Sequence, residues 1–243
     1  MITYILPSAG KGARLGLPYP KEIHRVLPDK SLIDFSLAHT TAEPGLTEKV
    51  VVVLGPGKEI VADYAESVLP KTIPLRRARF NPEYHEWPGS IRSAEALFGE
   101  YNVALLPDSV LTPEAGDVLA ARYRREFEDG ADLVFAYMSA SDTEQLQRLG
   151  ALKVALGEVT AFCDKPDVEF AGAYNAFWAS FGFRKACGAD VLSLMMRSVA
   201  REPVNLGELG LTVRAFPVAD YVDLGTWPSL AKYLGSEKLA PKL

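Results

Sequence analysis

Leu6-Pro7-Ser8-Ala9-Gly10-Lys11-Gly12-Ala13-Arg14-Leu15-Gly16-Leu17-Pro18-Tyr19-Pro20-Lys21 continues the apolar run of residues 2–6. A strand therefore empties into a loop holding three glycines, Gly10, Gly12 and Gly16, and three cations, Lys11, Arg14 and Lys21. Glycine lets a backbone approach an anion closely and aim successive N–H groups at it. Arginine adds a planar fork of donors and lysine a point charge. Open α/β sheets bind ligands outside the C-terminal ends of their strands, so the stretch reads as a phosphate loop.

Two commoner phosphate loops fail on spacing. A dinucleotide fingerprint, G-x-G-x-x-G, opens directly into a helix, whereas here the third glycine comes one place late and Pro18 and Pro20 forbid a helix so early. The pattern G-x-x-x-x-G-K-[ST] occurs neither here nor at Gly55-Pro56-Gly57-Lys58-Glu59. A plain strand-to-helix connection with a solvated charge run is the ordinary alternative for a lone glycine loop, so the rest of the chain must decide.

Outward from the loop, strand-like runs at 2–6, 49–54, 74–79, 103–106 and 132–138 alternate with helical patterns at 32–41, 60–69, 91–98 and 114–128. That rhythm predicts βαβ units around a parallel sheet. Residues 50–54 are continuously apolar, as in a central strand covered on both faces. From Gly150 the pattern becomes strand-rich, at 151–156, 159–163 and 177–183, before helices at 190–200 and 226–234, with a frayed end at Pro241-Lys242-Leu243. The expected class is α/β, a Rossmann-like three-layer α/β/α domain with a mostly parallel sheet and a strand-rich insertion in its second half. With 243 residues, 48% of them hydrophobic, the chain can bury one sizeable core, so a single domain is expected.

Lys and Arg total 26 against 31 Asp and Glu, a net charge of −5 that argues against a broad nucleic-acid footprint. Cys163 and Cys187 lack metal-ligand spacing and suggest small core residues of a reduced protein. His24, His39 and His85 have no mutual spacing for a metal or triad. No apolar stretch approaches the ~20 residues of a membrane span, so the protein is expected to be soluble and cytoplasmic.

Residues 6–15 followed by Pro20-Lys21 resemble the signature of the sugar-phosphate nucleotidyltransferases (NDP-sugar pyrophosphorylases), roughly L-A-A-G-x-G-[TS]-R-L and then P-K. The chain departs at Pro7-Ser8 and at Ala13, where the family carries a hydroxyl residue that would give a phosphate hydrogen bond. The resemblance implies that Arg14 and Lys21 contact a triphosphate and stabilise the reaction, with Ala9, Gly10, Lys11 and Gly12 wrapping the phosphates.

Joining two phosphorylated compounds gathers negative charge, which calls for Mg²⁺ on a few carboxylates plus phosphate oxygens and water. Val103-Ala104-Leu105-Leu106-Pro107-Asp108 resembles the family's strand ending in Gly-Asp, with Pro107 in the glycine's place. Taken alone, an Asp there is a turn or cap residue, and Thr112-Pro113-Glu114 reads as a helix start. Tyr221-Val222-Asp223-Leu224-Gly225-Thr226-Trp227 is similar to the late D-[VIL]-G-T-[PW] motif, with Thr226 placed to cap the helix from Trp227. Asp108 and Asp223 are the implied metal ligands.

Gly150-Ala151-Leu152-Lys153-Val154 and then Val159-Thr160-Ala161-Phe162-Cys163-Asp164-Lys165-Pro166 resemble the family's Gly-Val-Val, turn, V-x-x-F-x-E-K-P. The match implies an acceptor site at Gly150, with Lys165 on the acceptor phosphate, Asp164 (for the family's Glu) on a sugar hydroxyl and Asn175 as a further contact. Without the other motifs this is a hairpin with a solvent-facing lysine before proline. Trp87-Pro88-Gly89-Ser90-Ile91-Arg92-Ser93-Ala94 stands where the family has P-x-G-T-A-x-A, so Gly89 and Ser90 would meet the base. Read physically, Pro88-Gly89 is a turn, Ser90 a helix cap and Arg92 either a surface cation or a phosphate ligand. The same stretch resembles the branch that uses CTP and non-sugar phosphates.

The resemblance implies one nucleotidyltransferase domain over 1–243, with a nucleotide-binding half at 1–140 and an acceptor-binding half at 141–243. It would transfer a nucleoside monophosphate from an NTP to a sugar 1-phosphate, releasing pyrophosphate and forming a nucleotide sugar. Its partners would be the triphosphate and a phosphorylated small molecule, with no nucleic acid and no membrane. A cytidylyltransferase for a non-sugar acceptor, or a weakly catalytic nucleotide sensor on the same fold, stays open, as do base, acceptor and homo-oligomerisation.

Overall fold

The computed structural model describes residues 1–237, so Pro241–Leu243 lie outside the described residues. β1 (Ile2–Ser8) enters the glycine loop, where a single 3-10 turn at Lys21–Ile23 follows Pro20. The small hairpin β2 (Arg25–Leu27) and β3 (Lys30–Ser31) leads to α1 (Leu32–Thr41). The Asp34 carboxylate accepts the Ser31 N–H at 2.7 Å and caps this helix.

β4 (Thr47–Leu54), α2 (Glu59–Val68) and β5 (Leu75–Arg79) complete the first βαβ unit. α3 (Glu86–Arg92), β6 (Tyr101–Ala104), β7 (Ser109–Thr112), α4 (Leu119–Glu128) and β8 (Leu133–Ser139) follow. The second half comprises α5 (Thr143–Leu146), β9 (Gly150–Ala155), β10 (Glu158–Asp164), α6 (Val168–Ala171), β11 (Ala176–Arg184) and α7 (Gly188–Val199). It ends with β12 (Val204–Asn205), β13 (Val213–Pro217), β14 (Asp220–Asp223) and α8 (Trp227–Glu237).

Among the described residues, one ten-stranded sheet runs β12-β10-β13-β8-β11-β6-β1-β4-β5, with β9 bridging β10 and β11. From β5 to β6 every neighbour is parallel, as is β13 against β8. β11 lies antiparallel to β6 and β8, and β9 and β10 form an antiparallel hairpin. The sheet is therefore mixed rather than mostly parallel. For β9 and β10 the reason is local: Leu156 and Gly157, at φ 52° and 80°, make a tight turn, and a connection that short joins only antiparallel strands.

Successive residues of the central strands feed opposite cores. Ile5, Val51 and Val53 pack with Ile91 and with Val191, Leu192 and Met195 of α7. Tyr4, Leu6, Val50 and Val52 pack with Ile33 of α1, Val61 of α2 and Tyr123 of α4. Helices on both faces explain the unbroken apolar run of β4, which lies one strand in from the edge.

Two local expectations are corrected. The helix expected from Glu114 starts only at Leu119, and the residues before it include β7, which pairs with β14 as a separate ribbon. Pro88, Gly89 and Ser90 lie inside α3, so Ser90 is not its cap. Proline is tolerated in that first turn because the N–H it lacks has no partner there. No helix among the described residues is long and apolar enough to cross a membrane.

Candidate active site

β1 and β6 run parallel, so Ala9–Arg14 and Leu106–Asp108 emerge at the same end of the sheet and open on one cavity of about 620 Å³. The β7–β14 ribbon brings in the distant C-terminal segment. Asp223 pairs with Ser109, and the Leu224 N–H donates to the Asp108 carbonyl at 2.8 Å. Two aspartates far apart in sequence thereby become neighbours.

Gly225 marks where they meet. A Cβ on that residue would lie 2.7 Å from Arg14 Nη2, 2.8 Å from Asp223 Oδ1 and 2.9 Å from Asp108 Oδ2. The Gly225 N–H donates to Asp223 Oδ1 at 2.7 Å and fixes that carboxylate. Arg14 Nη1 stands 3.6 Å from Asp223 Oδ2, and the Lys21 ammonium bonds Asp108 Oδ2. Burial, and then the charges of Asp223 and Asp108, push the Tyr221 hydroxyl above its ordinary range, so it stays protonated beside them.

Among the described residues no group of three or more His, Cys, Asp or Glu could hold a metal by itself. Mg²⁺ does not need one, since one or two carboxylates plus phosphate oxygens and water suffice. One carboxylate oxygen of Asp108 and one of Asp223 lie within 3 Å of the place a Gly225 Cβ would take, so the two carboxylates are close neighbours.

The loop owes its shape to its glycines. Gly12 and Gly16 adopt φ 66° and 61°, and the Leu15 and Gly16 N–H groups fold back on the Gly12 carbonyl at 3.1 and 3.3 Å. Leu15 is buried with Leu224 and Leu230, and its carbonyl accepts the Trp227 indole N–H at 2.9 Å. The helix after Asp223 thus holds the loop that carries Arg14. Thr226 Oγ1 accepts the Ser229 N–H at 3.3 Å, as the cap role requires.

Gly150, Asp164 and Lys165 line the same cavity. Asp164 pairs with Gly150 across β10 and β9. Burial pushes the Asp164 carboxyl up, partly offset by Lys165 and by a hydrogen bond from the Trp87 indole. Lys165 is exposed and sits at φ 52°, an uncommon backbone conformation for a residue with a side chain. Ser90 lines the same cavity with a buried hydroxyl that has no hydrogen-bond partner among the described residues.

No protein-family model and no curated protein sequence matches the chain. Solved structures do. A UDP-glucose pyrophosphorylase from Acinetobacter baumannii superposes with a TM-score of 0.77 at 19% identity, over 100% of this chain and 96% of its own. A UDP-glucose pyrophosphorylase complexed with UDP-glucose gives 0.76 at 18%, over 98% and 99%. An inositol-1-phosphate CTP transferase from T. maritima gives 0.71 at 14%, over 100% and 98%.

The chain shares their fold.

Within that fold, three expected contacts are placed elsewhere. The Asn175 amide is spent on β9, accepting the Val154 N–H and donating to the Val154 carbonyl, each at 2.8 Å, and it does not line the cavity. Gly89 backs onto Tyr84, where a Cβ would come within 2.7 Å of the tyrosine Cβ. Gly12 packs on the Lys21 stem, so it shapes the loop without facing the cavity. Arg92 resolves as a surface cation, lying 4.9 Å over the Tyr84 ring.

Other residues come into view only in three dimensions. Lys58 is buried, bonds Glu22 at 2.8 and 2.9 Å and donates to the Ser8 carbonyl at 2.9 Å. Gly55 lets the Ala9 backbone pass close by, since a Cβ there would sit 2.7 Å from the Ala9 carbonyl oxygen. The sequence signal was a second glycine loop, residues 55–58, after a neighbouring strand. Trp87, Trp178, Arg148 and Tyr221 also line the cavity.

Proposed function

We propose that the protein is a nucleotidyltransferase that moves a nucleoside monophosphate from an NTP to a sugar 1-phosphate. The observation that carries this reading is the meeting of Arg14, Asp108 and Asp223 around Gly225, in the cavity that also holds Lys165. Residues 1–140 would bind the nucleotide and residues 141–243 the acceptor, as one domain. A cytoplasmic setting is supported by two free, buried cysteines.

The acceptor's phosphate oxygen attacks the α-phosphorus in line, the bond to the β-phosphate oxygen breaks, and pyrophosphate leaves with its electron pair. An ionised phosphate needs no general base, so positioning and electrostatics carry the rate. Arg14 sits on the rigid turn of the phosphate loop and offers its fork to the triphosphate. Lys21 lies across the cavity mouth on Asp108 and supplies a second charge. Lys165 would hold the attacking phosphate, and the backbone N–H groups of Ala9, Gly10 and Lys11 would bind the leaving group. Asp108 and Asp223 would hold Mg²⁺, which when bound neutralises the gathered phosphate charge.

The test is pyrophosphate release with Mg²⁺, each of the four common triphosphates in turn, and a panel of phosphorylated sugars and amino-alcohols. Release with at least one sugar 1-phosphate is expected. A panel without release, with a nucleotide still bound, removes the transferase reading in favour of a sensor.

A further inference from the structure

Gly55-Pro56-Gly57-Lys58 is a second glycine loop, and the proposed reaction leaves its lysine without a task. Ser8 pairs with Leu54 at the ends of β1 and β4, so the two glycine loops leave the sheet side by side. Gly57, at φ 73°, turns the chain into α2. Lys58 immediately precedes that helix, its N–H on the Gly55 carbonyl at 3.3 Å and its carbonyl accepting the Val61 N–H at 3.0 Å. A lysine in a glycine loop at a strand end commonly reaches for phosphate.

This one turns inward instead. Lys58 does not line the cavity, and its ammonium, with three donors and no acceptor, has three internal partners. They are the two Glu22 carboxylate oxygens and the Ser8 carbonyl. No donor is left for a ligand. Ser8 is the last residue of β1 and Glu22 directly follows Lys21, so one buried ammonium ties both ends of the loop that carries Lys11, Arg14 and Lys21. A buried ion pair adds little stability over two apolar side chains of similar volume, because desolvation offsets the attraction. What it does supply is a directional, fixed link between the strand end and the neighbour of Lys21.

We propose that Lys58 is a positioning residue: paired with Glu22, it sets the span of the phosphate loop and so the places from which Arg14 and Lys21 reach a triphosphate. It touches neither substrate itself. This rests on the reading of Arg14 and Lys21 as the cations that meet the triphosphate. Apolar side chains can fill the same space, but they offer the Ser8 carbonyl no donor and hold the limb after Lys21 in no particular direction. Lys165 stands on the far side of Asp164 at the end of β10, outside this network, so the acceptor side is unaffected.

The test is Glu22→Leu combined with Lys58→Met, which exchanges the pair for apolar side chains. It is compared with the unaltered protein by thermal melting, by calorimetric titration of the four common triphosphates with Mg²⁺, and by steady-state kinetics. The double variant should melt close to the unaltered protein, bind the triphosphate roughly tenfold more weakly and lose roughly a hundredfold in kcat, with the KM for the acceptor unchanged. A pair that served stability alone would return the rate along with the melting temperature. Full turnover and affinity in the double variant, or triphosphate and acceptor KM rising together, overturns the positioning role while the transferase reading stands. Glu22→Asp keeps both charges and retracts the carboxylate by one methylene, so it decides the matter if the double variant does not fold. Weaker triphosphate binding and a lower kcat are expected there too, and unaltered values overturn the role. Should the unaltered protein bind a triphosphate without turnover, the transferase reading falls, and weaker binding in the variants keeps this role whereas equal binding overturns it. Should it bind no triphosphate, both fall.

Discussion

The Lys58 ammonium lies 2.8 and 2.9 Å from the two carboxylate oxygens of Glu22, and both side chains are shut away from water beneath the phosphate loop. Removing one partner strands the other charge in a poorly solvating environment, at a cost of about 3–5 kcal/mol. Lys58→Met should lower the stability measured by denaturant titration by that amount, and Glu22→Leu combined with Lys58→Met should recover most of it. The single variant should also lose turnover, because Glu22 adjoins Lys21 and Lys58 holds the Ser8 carbonyl. Unchanged stability in Lys58→Met would refute the structural role.

Asp108→Asn and Asp223→Asn keep shape and remove one negative charge each. Both variants should retain native circular dichroism and abolish pyrophosphate release. A rate near that of the unaltered protein in either variant takes that aspartate out of the chemistry.

Gly225→Ala tests the convergence itself. The added methyl would stand 2.7–2.9 Å from Arg14, Asp223 and Asp108, so the three charged ends must move apart. Misplacement of about 1 Å at a reacting centre costs roughly a hundredfold in rate. Turnover should fall by that order with little change in melting temperature, and an alanine variant at full rate would show that this geometry does not matter.

Much of this was legible in one dimension, for physical reasons that differ from place to place. Residues 32–41 form α1 as expected because the Ser31 and Asp34 cap and the apolar spacing are local. β4 was readable because both its faces are buried. The β7–β14 ribbon was not, since each strand has only four residues and is held by a partner far along the chain. Pro113-Glu114 imitates a helix start, but strand pairing wins at Ser109–Thr112 and the helix waits until Leu119. The glycine loop after β1 stood out through its glycines and cations within sixteen residues of sequence. Trp87 and Trp178 did not, because they come from separate elements that only the fold brings to one cavity. Asn175 was misplaced because a short amide satisfies a neighbouring backbone as readily as a ligand.

Acid should loosen the ribbon through His39. Its Nε2–H donates to the Leu111 carbonyl of β7 at 3.0 Å, and burial holds its pKa below the ordinary 6.5, with the carbonyl partly offsetting that. As pH falls through 6.5 the unfolded chain takes the proton first, so stability present above that value is lost on acidification. Melting temperatures recorded on the acid side of 6.5 should fall more steeply for the unaltered protein than for His39→Gln. Parallel curves would exclude this histidine.

The pairing of Asp223 with Ser109 also orders events in time. A growing chain acquires its loop of cations and Asp108 early, whereas the second carboxylate, and the Trp227 that holds the loop, come far later in the sequence. Until then Arg14 has no Asp223 to face and the loop has no helix to rest on. Under the proposed reaction the loop by itself lacks the second carboxylate, and the ribbon is what couples the two.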